Sequence, residues 1–267
     1  MESKLPALYA HRLGRAYGPD SSRAALARTL QRPIEGLETD CCLSADGEIV
    51  LLHDPLLELG TTLCGWAHER SAAELRAGCL RHRDGTPSDE HPLLLEELLE
   101  LTPARATLQL EVKAHADPAL AHRTASAVCE RVREHPARER IEVISFWAGA
   151  CELAVRLGFR ARLVLIAEYC IPALAAWARS AGLHGVCVEH SLLSRELVGT
   201  LRESGLGVAT FGGHVPAAVE DDELGLAQPF GEPAGGDQGR FHLAHCAIHG
   251  GTGRPRSLRK AALNSLL

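Results

Sequence analysis

An α/β chain closed into an eight-stranded parallel barrel is the fold this sequence predicts, and three observations lead there. Short β-rich runs alternate with longer amphipathic stretches from end to end. Gly158, Gly182 and Gly205 stand where a helix has to stop before the next strand. A chain of 267 residues, 46% hydrophobic and 23% charged, can bury one large core, as α/β barrels of roughly 200 to 250 residues do within a single domain.

The candidate strands are Ala7 to His11, Gly36 to Cys42, Ile49 to His53, Ala106 to Lys113, Ile141 to Ser145, Arg162 to Ile166, Gly185 to Glu189 and Gly207 to Phe211. Each is a short apolar or β-branched run between turn formers. Helical patterns fill the intervals at Ser22 to Gln31, His91 to Leu101, Pro118 to Glu134, Ala148 to Gly158, Ile171 to Gly182 and Ser194 to Gly205. Right-handed crossovers then fix the winding. Two segments break the rhythm. Residues 54 to 90 are too long for a simple βα loop and predict a small insertion after the third strand, above the barrel mouth. Beyond Phe211 the pattern gives way to Gly and Pro, so residues 212 to 267 read as an atypical tail on a single domain spanning 1 to 267.

A formal charge of -6 argues against a nucleic-acid partner, because phosphate backbones call for a concentrated basic surface. The one basic run, Arg254, Arg256, Arg259 and Lys260, lies in the tail. No stretch approaches the roughly 18 apolar residues of a membrane span, and residues 1 to 11 lack the pattern of a cleaved leader. The 9 cysteines, an odd number set mostly in apolar runs, read as free thiols in a reducing compartment, so the chain is expected in the cytoplasm. Nothing in the sequence sets an oligomeric state.

Side chains at the C-terminal ends of barrel strands share one mouth. His11 and Arg12 end the first strand, Glu38 and Asp40 lie on the second, His53 and Asp54 follow the third, and Glu111 and Lys113 lie on the fourth. Residues i and i+2 face the same side of a strand, so Glu38 and Asp40 converge in the lumen, as do Glu111 and Lys113. Three carboxylates in one concave site repel one another unless a cation neutralises them. An all-oxygen donor set suits Mg2+ or Ca2+ rather than zinc, with Mn2+ a further candidate. Arg12 offers the bidentate geometry that phosphate prefers and Lys113 a point charge. His11 and His53 suit proton transfer near neutral pH. Together these parts describe phosphodiester chemistry on a small molecule.

The ordered motifs AHRLG at 10 to 14, GLETDCCLSADGEIVLLHDP at 36 to 55, TTLCGWAHERSAAELRAG at 61 to 78, PLLLEELLEL at 92 to 101 and LQLEVK at 108 to 113 resemble the glycerophosphodiester phosphodiesterase family. VISF at 143 to 146 and GLHGVCVEHSLLSRELV at 182 to 198 continue the likeness more loosely. The resemblance implies a TIM barrel, a divalent cation on Glu38, Asp40 and Glu111, acid-base catalysis by His11 and His53, and a phosphate held by Arg12 and Lys113. There are departures. Pro19, Asp20, Ser21 and Ser22 stand where the family has Pro-Glu-Asn-Thr, leaving Asp20 as an acceptor near the mouth or a helix cap. ATFGGH, with Phe211 and His214, replaces a Trp-Thr-Val-Asn alcohol pocket, and the family's closing Gly-Asp-containing motif is missing.

Phe211 and Trp147, with Phe146, are expected to line the substrate pocket, and Trp66 in the insertion to shield it or to bind an acyl or headgroup part. In HLAHCAIHGG the ligand-like spacing of His242, His245, Cys246 and His249 is weighed against a further strand or a tail, and the latter is preferred. Asp221, Asp222 and Glu223 read as a solvated charge run. Three activities stay open: hydrolysis to a phosphomonoester and an alcohol, cyclisation by an internal hydroxyl as in the phospholipase D toxins that resemble this family, and a silent anion-binding barrel.

Overall fold

The computed structural model describes residues 7–103, 105–114, 117–167 and 170–212 and the strand at 242–243. Its strands are β1 (Ala7–Ala10), β2 (Gly36–Leu43), β3 (Ile49–Leu51), β4 (Thr107–Val112), β5 (Ile141–Ser145), β6 (Arg160–Leu165), β7 (Gly185–Glu189), β8 (Gly207–Phe211) and β9 (His242–Leu243). The α-helices are α1 (Arg23–Thr29), α2 (Ala72–Ala77), α3 (Leu95–Leu101), α4 (Pro118–Val132), α5 (Ala148–Arg156), α6 (Ile171–Ser180) and α7 (Arg195–Glu203). The parallel sheet runs in the order β8-β7-β6-β5-β4-β2-β1-β9 with helices between its strands, the α/β TIM-barrel architecture.

One expected stave is not a stave. β3 pairs antiparallel with β2, placing Cys41 opposite Leu51 and Leu43 opposite Ile49. Only residues 44 to 48 separate the two strands, whereas a parallel return needs a crossover of about a dozen residues or more. The turn is held by Ser44, whose Oγ donates to Asp46 Oδ1 at 2.6 Å and accepts the Glu48 N–H at 2.8 Å, and by Gly47 at φ 85. The place on the far side of β1 is taken by β9, with Ala7 opposite His242, and β9 also lies against β8. The strand reading of the segment beginning at His242 is therefore correct in its first residues. His214, Asp221, Asp222, Glu223, His245, Cys246 and His249 lie outside the described residues.

The main core forms where the outer faces of the strands meet the helices. Leu37, Leu110, Val143 and Val186 pack with Leu26, Val128, Ala154 and Leu201, all buried, each large aliphatic contributing about 1.5–3 kcal/mol. The lower lumen is polar. Gln109 Nε2 and Arg162 Nε both donate to Glu142 Oε2, at 2.8 and 2.9 Å, and Arg162 is fully buried. The guanidinium fits because Gly185 and Gly207 have no side chains: a Cβ at Gly185 would lie 2.1 Å from Gly207 O and 2.5 Å from Arg162 Nη1. This network forms the floor one side-chain layer below Glu111. A second, smaller core of Cys42, Val50, Leu52, Leu57, Ala67, Ala72, Leu75 and Leu80 ties the insertion to the β2–β3 hairpin. Among the described residues no helix is long and apolar enough to cross a membrane.

Candidate active site

The alternation of β2 and β4 delivers the acidic residues to the lumen together. In the register Asp40 lies opposite Glu111, and one oxygen from each of Glu38, Asp40 and Glu111 falls within 4.8 Å of the others, all three residues being buried. Burial pushes Glu38 well above the usual carboxylate range, and the charges of Asp40 and Glu111 push it further. Burial also raises Glu111 against the pull of Lys113. Asp40 goes the other way: burial opposes its charge, but Lys113, His53 and Arg12 outweigh it and hold the carboxyl well below its ordinary range. Lys113 Nζ sits 3.0 Å from Asp40 Oδ1 and 2.5 Å from Glu111 Oε1, so it pairs with the carboxylates. Hard, mutually repelling oxygens in a buried cluster fit a divalent cation.

Above the carboxylates, the chain leaving β1 is bent into conformations that ordinary residues avoid. Arg12, Leu13 and Ser21 all have positive φ (49, 58 and 55), at a cost of order 1–3 kcal/mol each. Specific bonds hold them there. Arg12 N–H donates to Glu38 Oε2 at 2.9 Å, Ser21 N–H donates to Arg12 O at 2.9 Å, and Ser21 Oγ shares a 2.8 Å bond with Thr39 Oγ1. The result aims the Arg12 guanidinium back at the site: Nε donates to His11 Nε2 at 3.0 Å and lies 3.8 Å from Asp40 Oδ2, while Nη1 pairs with Asp20. Burial disfavours the Arg12 charge, yet Asp40, Asp20 and Glu38 more than restore it. Asp20 is not the helix cap; Ser22 caps α1 through Ala25 N–H at 3.2 Å, and Asp20 instead bridges Arg12 and Arg15, the latter at 3.2 Å.

Both histidines are at the mouth. His11 is buried, with Nε2 3.8 Å from Glu38 Oε2. His53 is partly exposed and its Nδ1 lies 3.0 Å from Asp54 Oδ2. The interaction lowers the Asp54 carboxyl although burial opposes that. On the opposite rim Phe211 packs on the lumen cluster of Ile144, Val164, Cys187 and Ala209. It meets Phe146 edge-on at 6.4 Å, and Lys113 Nζ lies 5.8 Å from the Phe146 ring centre. Trp147 is elsewhere: it packs on the main core beneath the helices. Ile144 and Phe146 share the lumen side of β5 and its exit, and Trp147 is one residue out of phase. Trp66 bridges to Leu56 within the insertion and faces His68 at 6.2 Å between rings.

Sequence reasoning missed two features. One is the Gln109–Glu142–Arg162 floor, whose signal is the continuation of the period-2 polar series down β4, β5 and β6. The other is a cavity of about 220 Å³ beside the mouth, lined by Arg12, Arg15, His53 and Asp54 and, from the insertion, Arg81 and Arg83.

The glycerophosphoryl diester phosphodiesterase family model matches residues 11–223, from the first mouth histidine past β8 and into the tail. The chain belongs to this family. Within it, the chain is 26% identical over 152 residues to a glycerophosphodiester phosphodiesterase of Bacillus altitudinis, covering 56% of this chain and 62% of that one. It is 31% identical over 116 residues to mouse glycerophosphodiester phosphodiesterase 1, covering 42% of this chain and 35% of the mouse protein. The match thus spans less than two thirds of either relative. A putative glycerophosphoryl diester phosphodiesterase from Agrobacterium tumefaciens superposes with a TM-score of 0.70 at 21% identity, over 80% of this chain and 87% of that one. An Oleispira antarctica phosphodiesterase in complex with the product sn-glycerol-3-phosphate superposes with a TM-score of 0.68 at 24% identity, over 79% of this chain and 85% of that one. Both likenesses show the barrel fold.

Proposed function

We propose that the protein is a metal-dependent hydrolase of small glycerophosphodiesters, releasing a phosphomonoester and an alcohol. The observation that carries this reading is the buried triad Glu38, Asp40 and Glu111, with oxygens within 4.8 Å of one another, flanked by two histidines, an arginine and a lysine in a chain of this family. The names of the curated relatives, and the product seen in the Oleispira protein, support the substrate class. The unbridged cysteines among the described residues support a reducing, cytoplasmic setting.

Glu38, Asp40 and Glu111 would hold the cation, Mg2+, Ca2+ or Mn2+. Bound there, it would supply Lewis-acid polarisation of a phosphoryl oxygen. Arg12 and Lys113 hold the anionic oxygens of the diester, and Asp20 keeps the guanidinium oriented. One histidine takes a proton from the attacking water as its oxygen bonds to phosphorus, and the other gives a proton to the alkoxide as the old P–O bond breaks. Asp54 anchors His53 through Nδ1 and leaves Nε2 for the transfer. Phe211 and Phe146 form an apolar wall for the alcohol.

Incubation with glycerophosphocholine and each cation, followed by phosphorus NMR, tests the reading. Formation of sn-glycerol-3-phosphate and choline is the expected result. A persistent cyclic phosphate would replace hydrolysis by cyclisation, and no turnover of this or any other glycerophosphodiester with any of the three cations would leave an anion-binding barrel.

A further inference from the structure

The cavity beside the mouth has a charge balance that a single phosphodiester does not use. Four guanidiniums, Arg12, Arg15, Arg81 and Arg83, line it together with two carboxylates, Asp20 and Asp54. Both carboxylates are already engaged, Asp20 by Arg12 and Arg15 and Asp54 by His53. Arg81 is fixed by neutral carbonyls: its Nε donates to Thr61 O at 2.7 Å and its Nη1 to Gly85 O at 2.9 Å. Those bonds orient the guanidinium without cancelling its charge. Arg83 has no ion pair among the described residues, and the neighbouring Asp84 is turned back onto Thr86, accepting its N–H at 2.9 Å and its hydroxyl at 2.6 Å.

The turn that carries these arginines is built rather than loose. His82 N–H donates to Thr86 O at 2.8 Å, Gly85 N–H to His82 O at 2.9 Å, and Gly85 takes φ 85 at its tip. Arg81 N–H donates to Gly60 O at 2.8 Å, fastening the turn to the other loop of the insertion. Burial lowers the Arg15 pKa, and the charges of Arg12 and Arg83 lower it further, as expected for crowded cations. Arg12 and His53 line this cavity and also belong to the candidate active site, so the cavity adjoins the mouth.

Resting on the hydrolase reading above, we propose that this cavity is an anion subsite selecting glycerophosphodiesters whose alcohol group bears a second anionic group, a carboxylate or a phosphomonoester. Arg81 and Arg83 are its specificity-determining residues. The Arg81 guanidinium held by two carbonyls, with the Arg83 charge beside it at the cavity rim, pairs well with such an oxyanion.

Glycerophosphoserine and glycerophosphoethanolamine differ by one carboxylate and provide the test. The parent protein is expected to favour the serine compound in kcat/KM by about tenfold, the effect of one charge-assisted contact. That ratio falls towards unity in Arg83→Glu, takes an intermediate value in Arg83→Gln, and shrinks as salt is raised. Arg83 is exposed, so both variants should keep the parent's circular dichroism and melting profile. A parent ratio at or below one, or a ratio unchanged in Arg83→Glu, overturns the subsite. Turnover of neither compound overturns the hydrolase reading itself, and this inference with it.

Discussion

Replacing Glu38 by glutamine separates a cation site from an ordinary buried acid, because the two assign opposite signs to its effect on stability. The donor oxygens of Glu38, Asp40 and Glu111 lie within 4.8 Å of one another. At an effective dielectric of about 20, two unit charges that far apart repel by roughly 3.5 kcal/mol, and Glu38 faces two of them. Glutamine keeps an oxygen for the Arg12 N–H, which lies 2.9 Å from Glu38 Oε2, and removes the charge. Burial and its two neighbours already push Glu38 towards its neutral form, so proton uptake and relaxation absorb most of the repulsion. A net gain of about 1–2 kcal/mol remains for the divalent-free protein, a rise in Tm of roughly 2–8 °C. The parent in turn should gain about 2.7 kcal/mol from a cation at a hundred times its Kd, and Glu38→Gln should lose that gain. Melting curves by circular dichroism in EDTA and in excess Mn2+ measure both. A variant that melts below the parent in EDTA and still rises with Mn2+ would refute the reasoning.

Other outcomes follow from the same geometry. His11→Ala and His53→Ala should each lower kcat on glycerophosphocholine by about a hundred- to ten-thousand-fold with the fold intact by circular dichroism; parent-like rates in either would remove that histidine from the chemistry. Glu142→Gln leaves the fully buried Arg162 without its counter-charge and should cost about 3–5 kcal/mol in urea unfolding, whereas a loss below about 1 kcal/mol would show that the floor is not held by charge. Burial, aided by Arg162, pushes the His184 imidazole down to about 4. The unfolded chain therefore takes up a proton near pH 6.5 that the folded chain refuses until near pH 4. Stability from this group is complete above pH 6.5 and declines on acidification through that window, by about 3 kcal/mol; His184→Gln should flatten this part of the stability profile, and an unchanged profile would contradict it.

The carboxylates are legible in the sequence because a strand has a period of two, which puts Glu38 with Asp40, and Glu111 with Lys113, on one face. The same counting would have chosen Phe146 over Trp147, since Glu142, Ile144 and Phe146 form one series and Trp147 lies outside it. The β2–β3 hairpin was also readable, from the shortness of the link at residues 44 to 48, but composition alone made Ile49 to Leu51 look like any parallel stave. What could not be read is set by long-range packing. Glu142 lies opposite Arg160 and meets Arg162 on the diagonal of the β5–β6 register, where two glycines leave room for the guanidinium. Arg81 and Arg83 reach the mouth only because the insertion packs its own small core on the hairpin.

A crystal of the parent grown with Mn2+ and measured at the manganese absorption edge tests the central claim most directly. The account predicts one anomalous peak within coordination distance of Glu38, Asp40 and Glu111. A peak on other residues, or none at these carboxylates under saturating Mn2+, would contradict it.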